Sequence, residues 1–268
     1  MSEPSLDQLN LFLDRRSIRK FSSRSVRDVD VHRIVEAGKR APTACNFQTY
    51  SVVWIRDAKL KKKMYDSCGR FDSIMEAPIV LAICADVHRL SKVLDYLGSD
   101  HCFKHDQGYF FKLLSIMDAC FLAENMTMAA ESLGLGSVYI GLAFANDEVI
   151  KALNLPKGVL PLTLLCIGYP GEKPPTRPRW PLSSVLLIDS YRDPTEEEVK
   201  SFLQHTDKEL EKERYYEKYV SAKRGSTCTH SKDIQRITSF KSARRTDAKM
   251  VRVLTETGFF YKKSENSA

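Results

Sequence analysis

The chain has 268 residues, of which 43% are hydrophobic, 10% aromatic and 28% charged, a composition that excludes disordered, collagenous and coiled-coil classes and leaves one large globular domain or two small ones. The longest apolar runs, Pro78 to Ala85 and the interrupted stretch Val159 to Ile167, fall short of the roughly 20 residues of a bilayer span, so no membrane crossing is expected. The net charge of +7 is uneven: residues 220–263 hold eleven basic and three acidic side chains, a basic end suited to an anionic partner. The N-terminus carries acids and amides where an export leader carries cations and an apolar core, and the seven cysteines include no C-x-x-C. Together these point to a reducing, cytoplasmic setting with core thiols rather than disulfides.

In chain order, Pro4 to Leu13 forms a short amphipathic start, and the basic stretch DRRSIRKF follows without a clear period. A helix is predicted from Asp30 to Ala41, with Ile34, Val35 and Ala41 on one side and Pro42 ending it. Tyr50 to Arg56 reads as a strand, Lys59 to Ser67 as a surface helix with solvated lysines, and Ala77 to Ala85 as a buried strand. Gln107 to Gly134 is the longest helical signal, apolar on all sides, which implies burial on more than one face. SVYIGLA reads as extended, Leu160 to Ile167 as a third buried strand, and Thr195 with Glu198 as the capping box of a charged helix. After Tyr219 the period fades, and STCTHSKD reads as a loop. Helices interleaved with strands make the chain α/β or α+β.

Phosphate-binding glycine loops are disfavoured, because Gly134-Leu-Gly-Ser-Val-Tyr-Ile-Gly141 follows a helix instead of a strand and lacks the Lys-Ser/Thr of a P-loop. Neither G-x-S-x-G nor H-E-x-x-H occurs. His101, Cys102 and His105 lie close together, but their polar setting reads as a loop and no metal is expected. Arg15, Arg16, Ser17 and Arg19 place three guanidiniums and a hydroxyl within five residues, suited to a phosphate monoester or equally to a solvated basic turn. A second cluster, Arg177 and Arg179, sits between prolines. Thr43, Asn46 and Gln48 could read the edge of a flat heterocycle or serve turn chemistry alone. Cys45, in the same turn, reads as a small buried filler.

These pieces, in the order RRSIRKF, APTACNFQTYSVVWIRD, EAPIVLAICADVHR, LAENMTMAAESLGLGSVYIG, LPLTLLCIGYP and RPRWP, resemble the flavin-dependent nitroreductase family, in its branch of oxygen-insensitive NADPH nitroreductases and NADPH:flavin reductases. The resemblance covers about residues 11 to 182. It implies an α+β fold with a central, mainly antiparallel sheet flanked by helices, an intertwined homodimer, and one FMN in each of two sites at the subunit interface. It implies an FMN-binding domain over residues 1–190 and a C-terminal helical arm over 191–268 that packs on the partner.

By the same resemblance, Arg15, Arg16, Ser17 and Arg19 bind flavin, with Arg177 and Arg179 completing a cradle for the FMN phosphate, and Arg15 or Arg16 helps electrostatically at the ring. Thr43, Asn46 and Gln48 contact ring and ribityl chain, and Tyr139, Ile140 and Gly141 lie along the ring near its N5. The family continues with a second glycine where this chain has Leu142, which puts a side chain where close backbone approach is usual. Lys223 and Arg224, in RYYEKYVSAKRGS, are the candidates for the NADPH 2′-phosphate. The implied reaction is ping-pong transfer from NADPH through FMN to a small acceptor, a nitroaromatic, quinone or free flavin, with no catalytic side chain because flavin N5 carries the chemistry. Two other readings are a reductive dehalogenase-like enzyme on the same fold and a nucleic-acid binder using the basic tail. The tail lacks the interleaved aromatics of a single-strand binder, so neither nucleic acid nor membrane is expected as a partner.

Overall fold

The computed structural model describes residues 6–105, 107–219 and 229–259, and its contacts divide the chain into two bodies, residues 1–174 with 249–268, and residues 175–248. In the first body four strands, β1 (Tyr50–Trp54), β2 (Ile79–Asp86), β3 (Gly136–Ile140) and β4 (Val159–Gly168), form one sheet in the order β1-β2-β4-β3. All three pairings are antiparallel, with Tyr50 opposite Ala85, Ile79 opposite Ile167 and Gly136 opposite Gly168. Every residue of β2 is buried, as a continuous apolar run in mid-sheet requires.

Helices α1 (Leu6–Leu13), α2 (Asp28–Gly38), α3 (Ala58–Ser67), α4 (Asp72–Glu76), α5 (His88–Tyr96), α6 (Tyr109–Ser132) and α7 (Asp147–Ala152) belong to the same body. Alternation along the strands builds a core on each side of the sheet. Leu81, Ile83 and Leu165 pack with Ile34, Leu122 and Met126, while Val80, Ala82 and Leu164 pack with Met64, Ile74 and Val149. Local chemistry sets the helix starts: Asp57 accepts from the Leu60 amide (2.7 Å) before α3, and Asn146 from the Glu148 amide (3.0 Å) before α7. The lysines of α3 are not all solvated, since Lys61 Nζ donates to the Ala77 carbonyl at 2.6 Å and burial lowers its pKa.

The expectation that no segment reaches membrane-span length and apolarity fails for α6, whose 24 residues are long and apolar enough to cross a bilayer by length and composition alone. Its contacts explain the apolarity: Leu122, Met126 and Ala130 are fully buried in the first core, and a methyl on Gly38 would come within 2.4 Å of Met126 Cγ, so α2 and α6 pack at close range. A second face stays uncovered, with Phe110 67%, Leu113 50%, Met117 49% and Phe121 44% exposed.

The second body contains α8 (Leu182–Val185), α9 (Glu196–Lys212), α10 (Tyr215–Tyr219) and α11 (His230–Ile237), while α12 (Phe240–Glu256) runs from it into the first body. The capping box is present: Thr195 Oγ1 accepts from the Glu198 amide at 3.2 Å, and Glu198 accepts from the Thr195 amide at 2.8 Å. The loop reading of the tail fails from His230 onward, where Thr229 caps α11 by accepting from the Lys232 amide at 3.2 Å. At the end of α12, Val253, Leu254 and Phe259 enter the first core at 1%, 6% and 0% exposure.

Candidate functional site

The segment 14–19 runs beside β3 and is joined to it by a bridge between Ser17 and Ser137, the Ile18 amide donating to the Ser137 carbonyl at 2.9 Å. Gly136 makes this approach possible, since a Cβ there would lie 2.4 Å from Ile18 Cγ1. Glu172 fixes the following residues by accepting from the amides of Arg19 (2.7 Å) and Lys20 (3.1 Å).

This extended course sends the two arginines different ways. The Arg15 guanidinium lies 5.8 Å from the Tyr139 ring centroid, and its Nε and Nη2 are buried with no hydrogen-bond partner among the described residues. Arg16 instead donates to the carbonyls of Asp14 (2.8 Å) and Pro174 (3.2 Å), and borders a separate cavity of about 390 Å³ with Glu131 and Glu172. Burial raises the pKa of Glu131. Arg19 Nη1 reaches the Ser17 carbonyl at 3.4 Å.

Tyr139 shares its hydroxyl with Thr127 Oγ1 of α6 at 2.7 Å and with Glu124 at 3.3 Å, and burial raises its pKa, so the phenol stays protonated. Ile140 is buried, and a Cβ on Gly141 would meet nothing within 4 Å. Leu142 is 57% exposed, and its Cδ1 would lie 2.6 Å from a Cβ on Gly69, a residue with φ of +89°, so that glycine makes room for the leucine. Asn146 secures this turn by donating to the carbonyls of Ser67 (3.1 Å) and Leu142 (3.0 Å).

The Thr43–Gln48 segment leaves α2 and enters β1 through a strained turn. Cys45, Asn46 and Gln48 have φ of 50°, 56° and 51°, each costing a residue other than glycine about 1–2 kcal/mol, less for Asn. Thr43 is half-buried, and Asn46 and Gln48 are exposed. Cys45 is exposed as well, which corrects the expectation of a buried filler: the left-handed turn carries it to the surface. Gln48 Nε2 lies 3.4 Å from both oxygens of Asn46. The turn is anchored to α6, where the buried Asp118 accepts from the Ala44 amide at 3.1 Å and from Thr49 Oγ1 at 2.8 Å. Asp118 had no signal in sequence beyond being one of three acids in an apolar helix.

Beside Tyr139 and its partner Glu124 opens a mostly apolar cavity of about 380 Å³, lined also by Ile83, Cys120, Phe144 and Leu162. In the second body, Arg177 pairs with the buried Glu213 and lies 4.5 Å from the Tyr215 ring centroid, and Arg179 Nη1 donates to the carbonyls of Arg177 (3.2 Å) and Pro178 (3.0 Å). Lys223 and Arg224 lie outside the described residues. His101 and His105 each engage a carboxylate, Asp95 at 3.1 Å and Asp100 at 2.9 Å, and no metal-binding group of three occurs among the described residues.

Comparison with known proteins gives a consistent result. The profile of the Nitroreductase family matches residues 13–169. An FMN reductase [NAD(P)H] of Bacillus subtilis is 36% identical over 200 residues, 74% of this chain and 78% of the relative. An oxygen-insensitive NADPH nitroreductase of Salmonella typhimurium is 32% identical over 186 residues, 69% of this chain and 74% of the relative. The structure of NfrA2 from B. megaterium superposes with a TM-score of 0.83 at 26% identity, covering 96% of this chain and 99% of that one.

Proposed function

The chain belongs to the nitroreductase family, and from that premise we propose that it is an FMN-dependent oxidoreductase. It draws electrons from NADPH and passes them, in a ping-pong sequence, to a small acceptor such as a nitroaromatic, a quinone or a free flavin. The relatives' names, FMN reductase and NADPH nitroreductase, support the cofactor, the donor and the flavin and nitro acceptors.

The observation that carries the reading is Arg15, whose buried Nε and Nη2 have no acceptor among the described residues. A buried guanidinium left unpaired is costly, and an anionic or carbonyl-bearing ligand beside Tyr139 relieves that cost. FMN fits this demand better than a dinucleotide. The glycines a pyrophosphate loop would need are spent otherwise, Gly134 closing α6 and Gly136 admitting Ile18 against β3.

Bound FMN supplies hydride acceptance from NADPH and electron delivery to the acceptor. The protein's part is to bind and orient. Arg15 sets positive charge beside the ligand, Ser17 and Arg19 extend the cradle, and the 139–141 backbone offers an uncovered edge at Gly141. Asn46, Gln48 and Thr43 supply amide and hydroxyl contacts. Arg16 is engaged by Asp14 and Pro174, so Arg15 takes the electrostatic role at the ring.

The uncovered stripe Phe110, Leu113, Met117 and Phe121 is apolar surface that a second copy of the chain would bury, and we assign the active form as a homodimer. The cysteines among the described residues are unbridged, in keeping with a cytoplasmic location. The test is the absorption spectrum of the purified protein: a flavin spectrum, with heat-released cofactor migrating as FMN and NADPH oxidation in the presence of a quinone, is expected. A colourless protein that retains no FMN rejects the proposal.

A further inference from the structure

We infer that Asp118 is the positioning residue of this site: its carboxylate holds the Cys45–Gln48 turn in the left-handed shape that presents Asn46 and Gln48 to the flavin. The inference rests on the reading of that turn as a flavin contact.

The turn has bonds of its own, from the Phe47 amide to the Ala44 carbonyl (2.9 Å) and from the Tyr50 amide to the Gln48 carbonyl (2.8 Å). Three of its four residues have positive φ and none of the four is glycine, so these bonds work against strain and an outside anchor helps hold the shape. Asp118 reaches both ends of it. One oxygen accepts from the Ala44 amide (3.1 Å), and the other from Thr49 Oγ1 (2.8 Å) and more distantly from the Thr49 amide (3.5 Å). The carboxylate is 2% exposed, so its bonds meet little competition from water.

Both anchors are rigid. Asp118 sits in mid-α6, packed against the core, and Thr49 is fixed to the sheet because its carbonyl accepts from the Asp86 amide at 2.9 Å. Two turns earlier on the same face of α6, Phe111 meets Phe47 at 6.2 Å between centroids, a second clamp on the tip of the turn. The carboxylate accepts at both ends. Asn in this place would keep the volume but has one acceptor oxygen, so its N–H would face either the Ala44 amide or the Thr49 end, where the hydroxyl can accept it and the Thr49 amide cannot.

The test compares Asp118→Asn, Asp118→Glu, Thr49→Val and the turn variant Asn46→Ala/Gln48→Ala, all as full-length FMN-loaded protein. Readouts are amide hydrogen exchange over residues 43–50, visible circular dichroism of the bound flavin, and FMN release seen as recovered flavin fluorescence on dilution. In Asp118→Asn at least one of the Ala44 and Thr49 amides is expected to exchange about tenfold faster, and FMN to be held about tenfold more weakly with a reduced dichroic band. Asp118→Glu, keeping both acceptors, is expected to regain part of the loss, whereas a side chain that only fills space would be replaced better by Asn than by Glu.

Unchanged exchange at Ala44 and Thr49 in Asp118→Asn overturns the inference, as does weaker FMN binding in the turn variant without any in Asp118→Asn. If exchange rises but neither variant alters FMN retention or its dichroism, the clamp stands and the assignment of the turn as a flavin contact falls. Should Asp118→Asn not fold, Thr49→Val removes one donor only. Faster exchange at Ala44 and Thr49 and about threefold weaker FMN binding are expected of it, and no change in either overturns the inference.

Discussion

Arg15 and Arg16 are neighbours in sequence with unrelated duties. Replacing Arg15 by Ala should weaken FMN retention about 10- to 100-fold, the range of one lost charge-assisted hydrogen bond, measured by fluorescence of released flavin. The same change at Arg16, which is tied to Asp14 and Pro174, should weaken it less than about threefold. Sequence shows that the doublet seeks anions but not which member faces the ligand, because that depends on the bridge from Ser17 to Ser137, 120 positions away. Thiols divide in a similar way. Burial pushes Cys84 and Cys166 up to about 12 and Cys68 to about 11, leaving almost no thiolate at pH 8. A thiol reagent at that pH is therefore expected to label the exposed Cys45 and Cys120 first and to reach those three only on unfolding. Cys45→Ala should keep most of the turnover.

Among the elements, the strands were the most legible part of the chain. β2, apolar up to Asp86, and β4, apolar but for Thr163, are runs that suit a sheet interior, and the register follows once they pair antiparallel. The capping box of α9 was equally plain, and it carries a pH signature. The Arg192 guanidinium and the Thr195 amide hold the Glu198 carboxyl down to about 2. A depressed acid stabilises the fold above its unfolded value near 4.5 and loses that contribution as pH falls toward 2. Fraying at the start of α9, followed by amide exchange, should therefore appear within that window. Thr195→Ala should cost about 0.5–2 kcal/mol at neutral pH. The elements that escaped, α11 and α12, are rich in Lys and Arg, and charge obscured a period that only a partner surface for Val253 and Leu254 makes visible. In the turn at 45–48 the residue types were legible, but its clamp was not: Asp118 lies some 70 positions away and is marked by geometry alone.

For the molecule as a whole, α6 poses the main question, since one of its faces is core and another is bare. Light scattering is expected to give twice the 30.5 kDa chain mass, and Met117→Glu/Phe121→Glu to yield a monomer that loses flavin. The NADPH assignment is tested separately. Lys223→Ala/Arg224→Ala should raise the Michaelis constant for NADPH roughly 30- to 1,000-fold and leave that for NADH nearly unchanged. The C-terminal return matters for stability: Phe259→Ala should cost the first body about 3–5 kcal/mol in chemical denaturation, as loss of a fully buried aromatic does. Because residues 175–248 lie between two stretches of the same body, that body cannot finish folding until the stretch after residue 248 has been made. Its sheet and α6 can assemble early, but the socket for Val253, Leu254 and Phe259 stays open on the nascent chain until residue 259 has left the ribosome. A chain cut short before that point would carry an exposed greasy hollow, a mark by which chaperones and proteases could tell unfinished copies from finished ones.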